Sequence, residues 1–98
     1  MDVGSSLRVA IDSGQVVLGT DKTKKMALNG QGKLIVISEN AEKMVMQDLK
    51  RYCSLNNLKV YVFPGTSMDL GRVCGKPFPV QSLVVVKEGS SDVLELVK

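Results

Sequence analysis

Phe78 stands in the run Cys74-Gly75-Lys76-Pro77-Phe78-Pro79-Val80, where an aromatic ring and a lysine share a segment punctuated by one glycine and two prolines. Those residues forbid a helix and disfavour a central strand, so Phe78 is expected on a stiff connection between a helix ending near Cys74 and a strand beginning near Val80. A ring for stacking beside a fixed positive charge is the chemistry that holds an unstacked RNA base next to a phosphate. The competing reading is a loop phenylalanine folded back onto the core.

A second cluster, Gly19-Thr20-Asp21-Lys22-Thr23-Lys24-Lys25, joins a glycine turn to three lysines at an expected helix start, where free amides attract phosphate or base acceptors. It lacks the Gly-x-x-x-x-Gly-Lys-Ser/Thr spacing of a P-loop, which removes the best signature of nucleotide hydrolysis. A capped helix with a solvated basic face would produce the same pattern. Asn40 offers a donor and an acceptor for a base edge or a sugar-phosphate contact, and is equally a good N-cap for the helix that follows. Glu39 is placed to accept from a base amino group, or simply to be solvated.

Catalytic chemistry finds little support. The chain contains no histidine, and its two cysteines, Cys53 and Cys74, form no Cys-x-x-Cys pair. The commonest general base and the commonest zinc sites are therefore missing. Both thiols are expected in the core. Asp12, Asp48 and Asp69 lie at expected helix ends or polar faces with no histidine to work with, so neither catalysis, a cofactor nor a metal is expected.

The elements that must position these residues follow from periodicity. With 98 residues the chain is one domain with room for one core. No apolar run approaches the roughly 20 residues that cross a bilayer, and Met1-Asp2-Val3-Gly4-Ser5-Ser6 does not resemble a secretory signal. A cytoplasmic location and no membrane partner are the expectations. Net charge is +3. Four lysines against one acid fall between Gly19 and Lys33, whereas three acids against one lysine close the chain from Glu88. Positive charge is thus concentrated on one section.

Leu7, Ala10 and Ile11 recur at helical spacing before Gly14, and Val16-Val17-Leu18 reads as a short buried strand. Gly19-Thr20-Asp21 carries cap chemistry for a second helix closed by Asn29-Gly30. Lys33 to Ser38 is β-branched and almost continuously apolar, a strand covered on both faces. Asn40 is expected to cap a helix whose buried stripe is Val45, Leu49, Tyr52 and Cys53. Lys59–Phe63 is the third strand. Thr66 with Asp69 forms a capping box for a short helix. Val80 to Lys87 is the fourth strand, and Ser90-Ser91-Asp92 caps a last turn or two. The alternation predicts helices on both sides of a mostly parallel sheet. The Phe78 loop enters a strand, so it joins the loops at Gly19 and Asn40 only if that fourth strand runs antiparallel to its neighbours.

Taken in order, Gly19-Thr20-Asp21-Lys22-Thr23-Lys24-Lys25, Lys33 through Asn40, Tyr61-Val62-Phe63-Pro64-Gly65 and Leu70 through Phe78 closely resemble the L-thirty-e family of large-subunit ribosomal proteins. The resemblance runs from about Leu7 to Glu88. It implies an α/β, three-layer α-β-α sandwich with a four-stranded mixed, mostly parallel sheet, in which loops at one edge clasp a kink-turn in RNA. It further implies ribosomal RNA with a kink-turn or internal loop, and other large-subunit components, as partners of a free monomer. By position, Gly19, Thr20, Asp21 and Lys22 match the family's first loop, Lys25 a basic residue on the next helix, and Asn40 a residue contacting bases. Lys76, Pro77, Phe78, Pro79 and Val80 match an apolar loop against an extruded base. Relatives binding guide RNAs carry Asn-Glu-x-x-Lys where this chain has Asp21, Lys22, Thr23, Lys24 and Lys25, which favours the ribosomal branch. A kink-turn adaptor in another small ribonucleoprotein, and an interaction module or small enzyme on the same sandwich, are the alternatives.

Overall fold

In the computed structural model, which describes residues 3–97, the first helix, α1 (Val3–Ser13), turns its Leu7 and Ala10 inward, and both are fully buried. Met1, Asp2 and Lys98 lie outside the described residues, and with them part of the opening segment read above for a signal. The chain continues through β1 (Gln15–Leu18), α2 (Thr20–Leu28), β2 (Leu34–Ser38), α3 (Lys43–Leu55), β3 (Lys59–Phe63), α4 (Ser67–Val73) and β4 (Ser82–Lys87) to a 3-10 helix, Val93–Val97.

The strands form one sheet in the order β1-β4-β2-β3. β4 is antiparallel to both β1 and β2, and β2 is parallel to β3. Three strands therefore run one way and β4 the other, the mixed arrangement that the Phe78 loop required. Because β4 lies between β1 and β2, only the β2–β3 pairing is parallel, not most of the sheet as the alternation predicted. The register pairs Leu18 with Leu83, Ile37 with Ser82 and Ser38 with Phe63. It brings the carboxyl ends of β1, β2 and β3 and the start of β4 to a single edge of the sheet.

β2 is buried along its whole length, because it lies inside the sheet and is covered on both faces. Its side chains alternate between two cores. Leu34 and Val36, with Leu83 and Val85 of β4, meet Leu7, Ala10, Leu70 and Val93 from α1, α4 and the 3-10 helix. Ile35 and Ile37, with Val84, meet Ala27, Val45, Leu49 and Cys53 from α2 and α3. Each Val, Leu and Ile among them contributes about 1.5 to 3 kcal/mol by leaving water. The cysteines sit on opposite sides of the sheet, Cys74 in the first core and Cys53 in the second, both as free thiols. Burial pushes both thiols up, Cys74 to about 11 despite the opposing charges of Lys76 and Arg8.

Several local expectations hold. Thr66 Oγ1 accepts the N–H of Asp69 at 3.1 Å while Asp69 Oδ2 accepts the N–H of Thr66 at 3.1 Å, completing the capping box of α4. The Thr66 N–H is the main reason the Asp69 carboxyl is held below its usual range. Other expectations change. β1 is an edge strand, so Val16, Val17 and Leu18 are half-buried. Tyr52 is half-buried, with the Arg51 guanidinium 5.3 Å from its ring centre. Within the Gly19-Thr20-Asp21 segment the cap of α2 is Gly19, and no side-chain cap hydrogen bond accompanies it.

β4 begins at Ser82, not at Val80: Val80 turns its N–H to α4, and Gln81 keeps only a carbonyl bond to the end of β2. Val80 N–H donates to Ser67 O, and Gln81 O accepts from Ser38 N–H. Asn40 is not the cap of α3 either. That position belongs to Glu42, which supplies no side-chain cap bond.

Candidate nucleic-acid interface

The sheet edge where three strands end and β4 begins opens into a cleft of about 620 Å³, walled by β1, the start of α2 and the segment entering β4. Gly19, Thr20, Lys22, Lys76, Phe78, Pro79 and Val80, all singled out from sequence, line it together. They come from chain positions some sixty residues apart, and the antiparallel course of β4 is what unites them.

Gly19 leaves β1 with φ 116°, a conformation that glycine adopts without cost, and nothing lies within 4 Å of where a Cβ would be. Its N–H donates to Ser82 O, and its carbonyl accepts both the N–H and the hydroxyl of Thr23. The first turn of α2 is thereby anchored to β4, while no side chain covers its leading amides. These amides and the helix dipole favour an acceptor or an anion.

Phe78 is 49% exposed, a large apolar surface for a residue next to the core. Its backbone is held from below: a Cβ on Gly71 of α4 would come within 2.1 Å of the Phe78 carbonyl oxygen. Only glycine lets α4 approach the loop backbone so closely. Val80 forms the floor, 3% exposed and part of the core beneath, so its role is to support the loop. Pro77 and Pro79 are exposed on either side of the ring.

Lys22 and Lys76 both line this cleft, and neither is in an ion pair among the described residues. Lys25, one turn further along α2, is exposed and likewise unpaired. Lys24 is different: it bonds Asp48 of α3 at 3.4 Å and so contributes to joining two helices. Asp21 is exposed in the first turn of α2, where a carboxylate favours the helix dipole; it does not line the cleft. Lys25, Glu39, Asn40 and Pro77 do not line it either.

Asn40 is nevertheless tied to the cleft. Its Oδ1 accepts the N–H of Ser67, the first residue of α4, at 2.8 Å. With the oxygen occupied, the side-chain amide presents donors to solvent. Glu39 is exposed, and its N–H is shared between Phe63 O at 3.0 Å and Gly65 O at 3.1 Å.

Ser67, Gln81 and the β1 edge also line the cleft, and sequence reasoning passed over all of them. Ser67 stands beside an evident cap residue and Gln81 beside Val80. Neither carries a signal of its own, since both owe their place to partners distant in sequence. The acidic residues considered for catalysis are engaged elsewhere: Asp12 with Arg8, Asp48 with Lys24 and Arg51, and Asp69 in the capping box.

Residues 1–95 match the family model described as the Ribosomal protein L7Ae/L30e/S12e/Gadd45 family. This chain belongs to that family. It is similar to the large ribosomal subunit protein eL30 of Methanocaldococcus jannaschii, with 47% identity over 98 residues, covering 100% of this chain and 89% of that protein. The eL30 protein of Methanothermobacter thermautotrophicus is 41% identical over 97 residues, covering 99% of each. Among solved structures, a protein of unknown function from Bacillus halodurans superposes with a TM-score of 0.82 at 27% identity. That match covers 98% of this chain and 95% of the other. The family resemblance read from the loop motifs is thus shared by the whole chain, with the α/β fold and mixed sheet that it implied.

Proposed function

We propose that this chain is a non-enzymatic constituent of the large ribosomal subunit. In this reading it binds ribosomal RNA at a sharply bent internal loop of the kink-turn kind, works in the cytoplasmic ribosome and is monomeric when free. The observation that carries the reading is the convergence of Gly19, Lys22, Lys76 and Phe78 on one open cleft, in a chain whose full-length relatives are named as large-subunit proteins.

Each part has a chemical task. Lys22, Lys25 and Lys76 neutralise phosphates and position the backbone, as most protein–nucleic acid contacts do. The bare start of α2 donates its amides to a base acceptor or phosphate oxygen at close range, because Gly19 leaves the approach open. Phe78 stacks on a base that the bend has turned out of the helix. Asn40 donates its amide hydrogens to an acceptor on the RNA. A straight duplex offers no extruded base, so the site selects by shape.

Titration with a kink-turn RNA and a fully paired duplex of equal length, over a range of salt, tests this. Preference for the bent RNA is expected, with affinity falling steeply as salt rises. Lys76→Ala is expected to weaken both RNAs and reduce the salt slope by about 1. Equal, weak binding to both RNAs would leave only a basic surface and overturn the proposal.

A further inference from the structure

We infer that Gln81 is a positioning residue for the RNA-binding edge, fixing the loop that carries Asn40 relative to the loop that carries Phe78. This rests on the RNA-binding reading above and gives Gln81, which lines the cleft, a role that acts through the two loops rather than through a contact with RNA.

Gln81 is bonded at both ends of the loop between β2 and α3. Its backbone carbonyl accepts the N–H of Ser38, the last residue of β2, at 2.8 Å. Its side-chain Oε1 accepts the N–H of Glu42, the cap residue of α3, at 2.8 Å. Between these points Asn40 Oδ1 accepts from Ser67 N–H at 2.8 Å, and Ser67 O accepts from Val80 N–H at 2.9 Å. Because Val80 precedes Gln81 and Asn40 lies two residues before Glu42, the bonds close a ring. It runs Asn40, Ser67, Val80, Gln81, Glu42 and back along the chain to Asn40.

Two of the three links around that ring need a backbone group at one end and Asn40 or a second backbone group at the other. The third needs a side chain at position 81 with an acceptor and the reach of glutamine. Any residue could supply the carbonyl that bonds Ser38; only Gln81, as it stands, reaches Glu42. The bond is exposed, so water can replace it with little effect on the fold. What its loss would change is the freedom of the loop, and ordering a loop on binding lowers affinity.

The test uses the full chain and a kink-turn RNA, with Gln81→Met, which keeps length without an acceptor, and Gln81→Asn, which falls short of Glu42. Gln81→Glu retains the acceptor and serves as the rescue in amide hydrogen exchange. Faster exchange at the Glu42 amide is expected in the Met and Asn variants and wild-type exchange in the Glu variant, with unfolding midpoints close to wild type. Kd for the RNA should rise about three- to tenfold in Gln81→Met, the range of one lost neutral hydrogen bond or slightly more. Combined with Asn40→Ala, the two effects should multiply to less than their product, since both act through one loop. An unchanged Kd, or effects that multiply in full, would overturn the inference. A wild-type chain with no preference for the bent RNA over the duplex would instead overturn the RNA reading, and this inference with it.

Discussion

Asn40 Oδ1 and the backbone N–H of Ser67 are 2.8 Å apart, so the residue that ends the turn after β2 also satisfies the first amide of α4. The same bond fixes the polarity that Asn40 shows to a ligand. Replacing Asn40 by Ala should lower stability by about 0.5 to 1.5 kcal/mol, the net worth of one hydrogen bond, and weaken RNA binding as well. Asn40→Asp keeps an acceptor for Ser67 and places a carboxylate at a helix start, where it is favourable. It should therefore retain stability and still lose affinity, because it offers no donor and repels phosphate. Urea unfolding and RNA titration of the two variants separate these effects.

Phe78 is half exposed, which makes its ring worth more to a ligand than to the fold. Phe78→Ala should weaken kink-turn binding by about 1 to 3 kcal/mol, the cost of losing one aromatic stacking partner, with a smaller change in unfolding free energy. A Tyr at this position should restore most of the binding. A loss of stability matching the loss of affinity would place the ring in the core instead.

Gly71 leaves no room for a methyl group, since its Cβ would lie 2.1 Å from the Phe78 carbonyl oxygen. Gly71→Ala should cost about 1 to 3 kcal/mol through overpacking and shift the Phe78 loop outward. Binding should fall even though residue 71 is buried and away from the ligand. Urea denaturation measures the first effect, and RNA titration under fully folded conditions the second.

Two titrating groups, among others shifted in the folded chain, give stability a dependence on pH that can be tested. The Cys74 thiol is raised from 9.0 to about 11 by burial. Below pH 9 the folded and unfolded chains both hold that proton. Between 9 and 11 the unfolded chain loses it first, so stability should fall as pH rises through that window. Cys74→Ala should show a shallower fall there. Asp69 has the opposite sign: its carboxyl is lowered from 3.8, chiefly by the Thr66 N–H. Its contribution is present above that value and is lost as pH falls through the folded one. Asp69→Asn should flatten the acid limb. Urea midpoints from pH 3 to 11 for wild type and both variants provide the check.

Much of the framework was legible because its causes are local. The unbroken apolar run of β2 could only be a strand covered on both faces. Thr66 and Asp69, three residues apart, announced a helix start. Gly75, Pro77 and Pro79 excluded regular structure around Phe78, and the cysteine and histidine counts argued against metal and acid–base chemistry. The loop motifs, read together in order, pointed to the family to which the chain belongs.

Other features depend on partners far along the chain. Asn40 has the composition of a cap, and by local rules it belongs to α3; Ser67, 27 residues away, claims its oxygen instead. Gln81 has no local signature, and its partner Glu42 is 39 residues distant. Lys24 looked equivalent to Lys22 and Lys25 until Asp48 drew it into a helix–helix contact. Sequence by itself determined which segments become helix or strand and which residue types stand at their ends, because propensity, capping and apolar spacing act within a few residues. Only the tertiary structure decided that β4 runs against its neighbours, bringing Phe78 to the edge where Gly19 and Asn40 lie. Strand direction and loop-to-loop bonds are settled by packing and by satisfying buried backbone groups across the whole sheet.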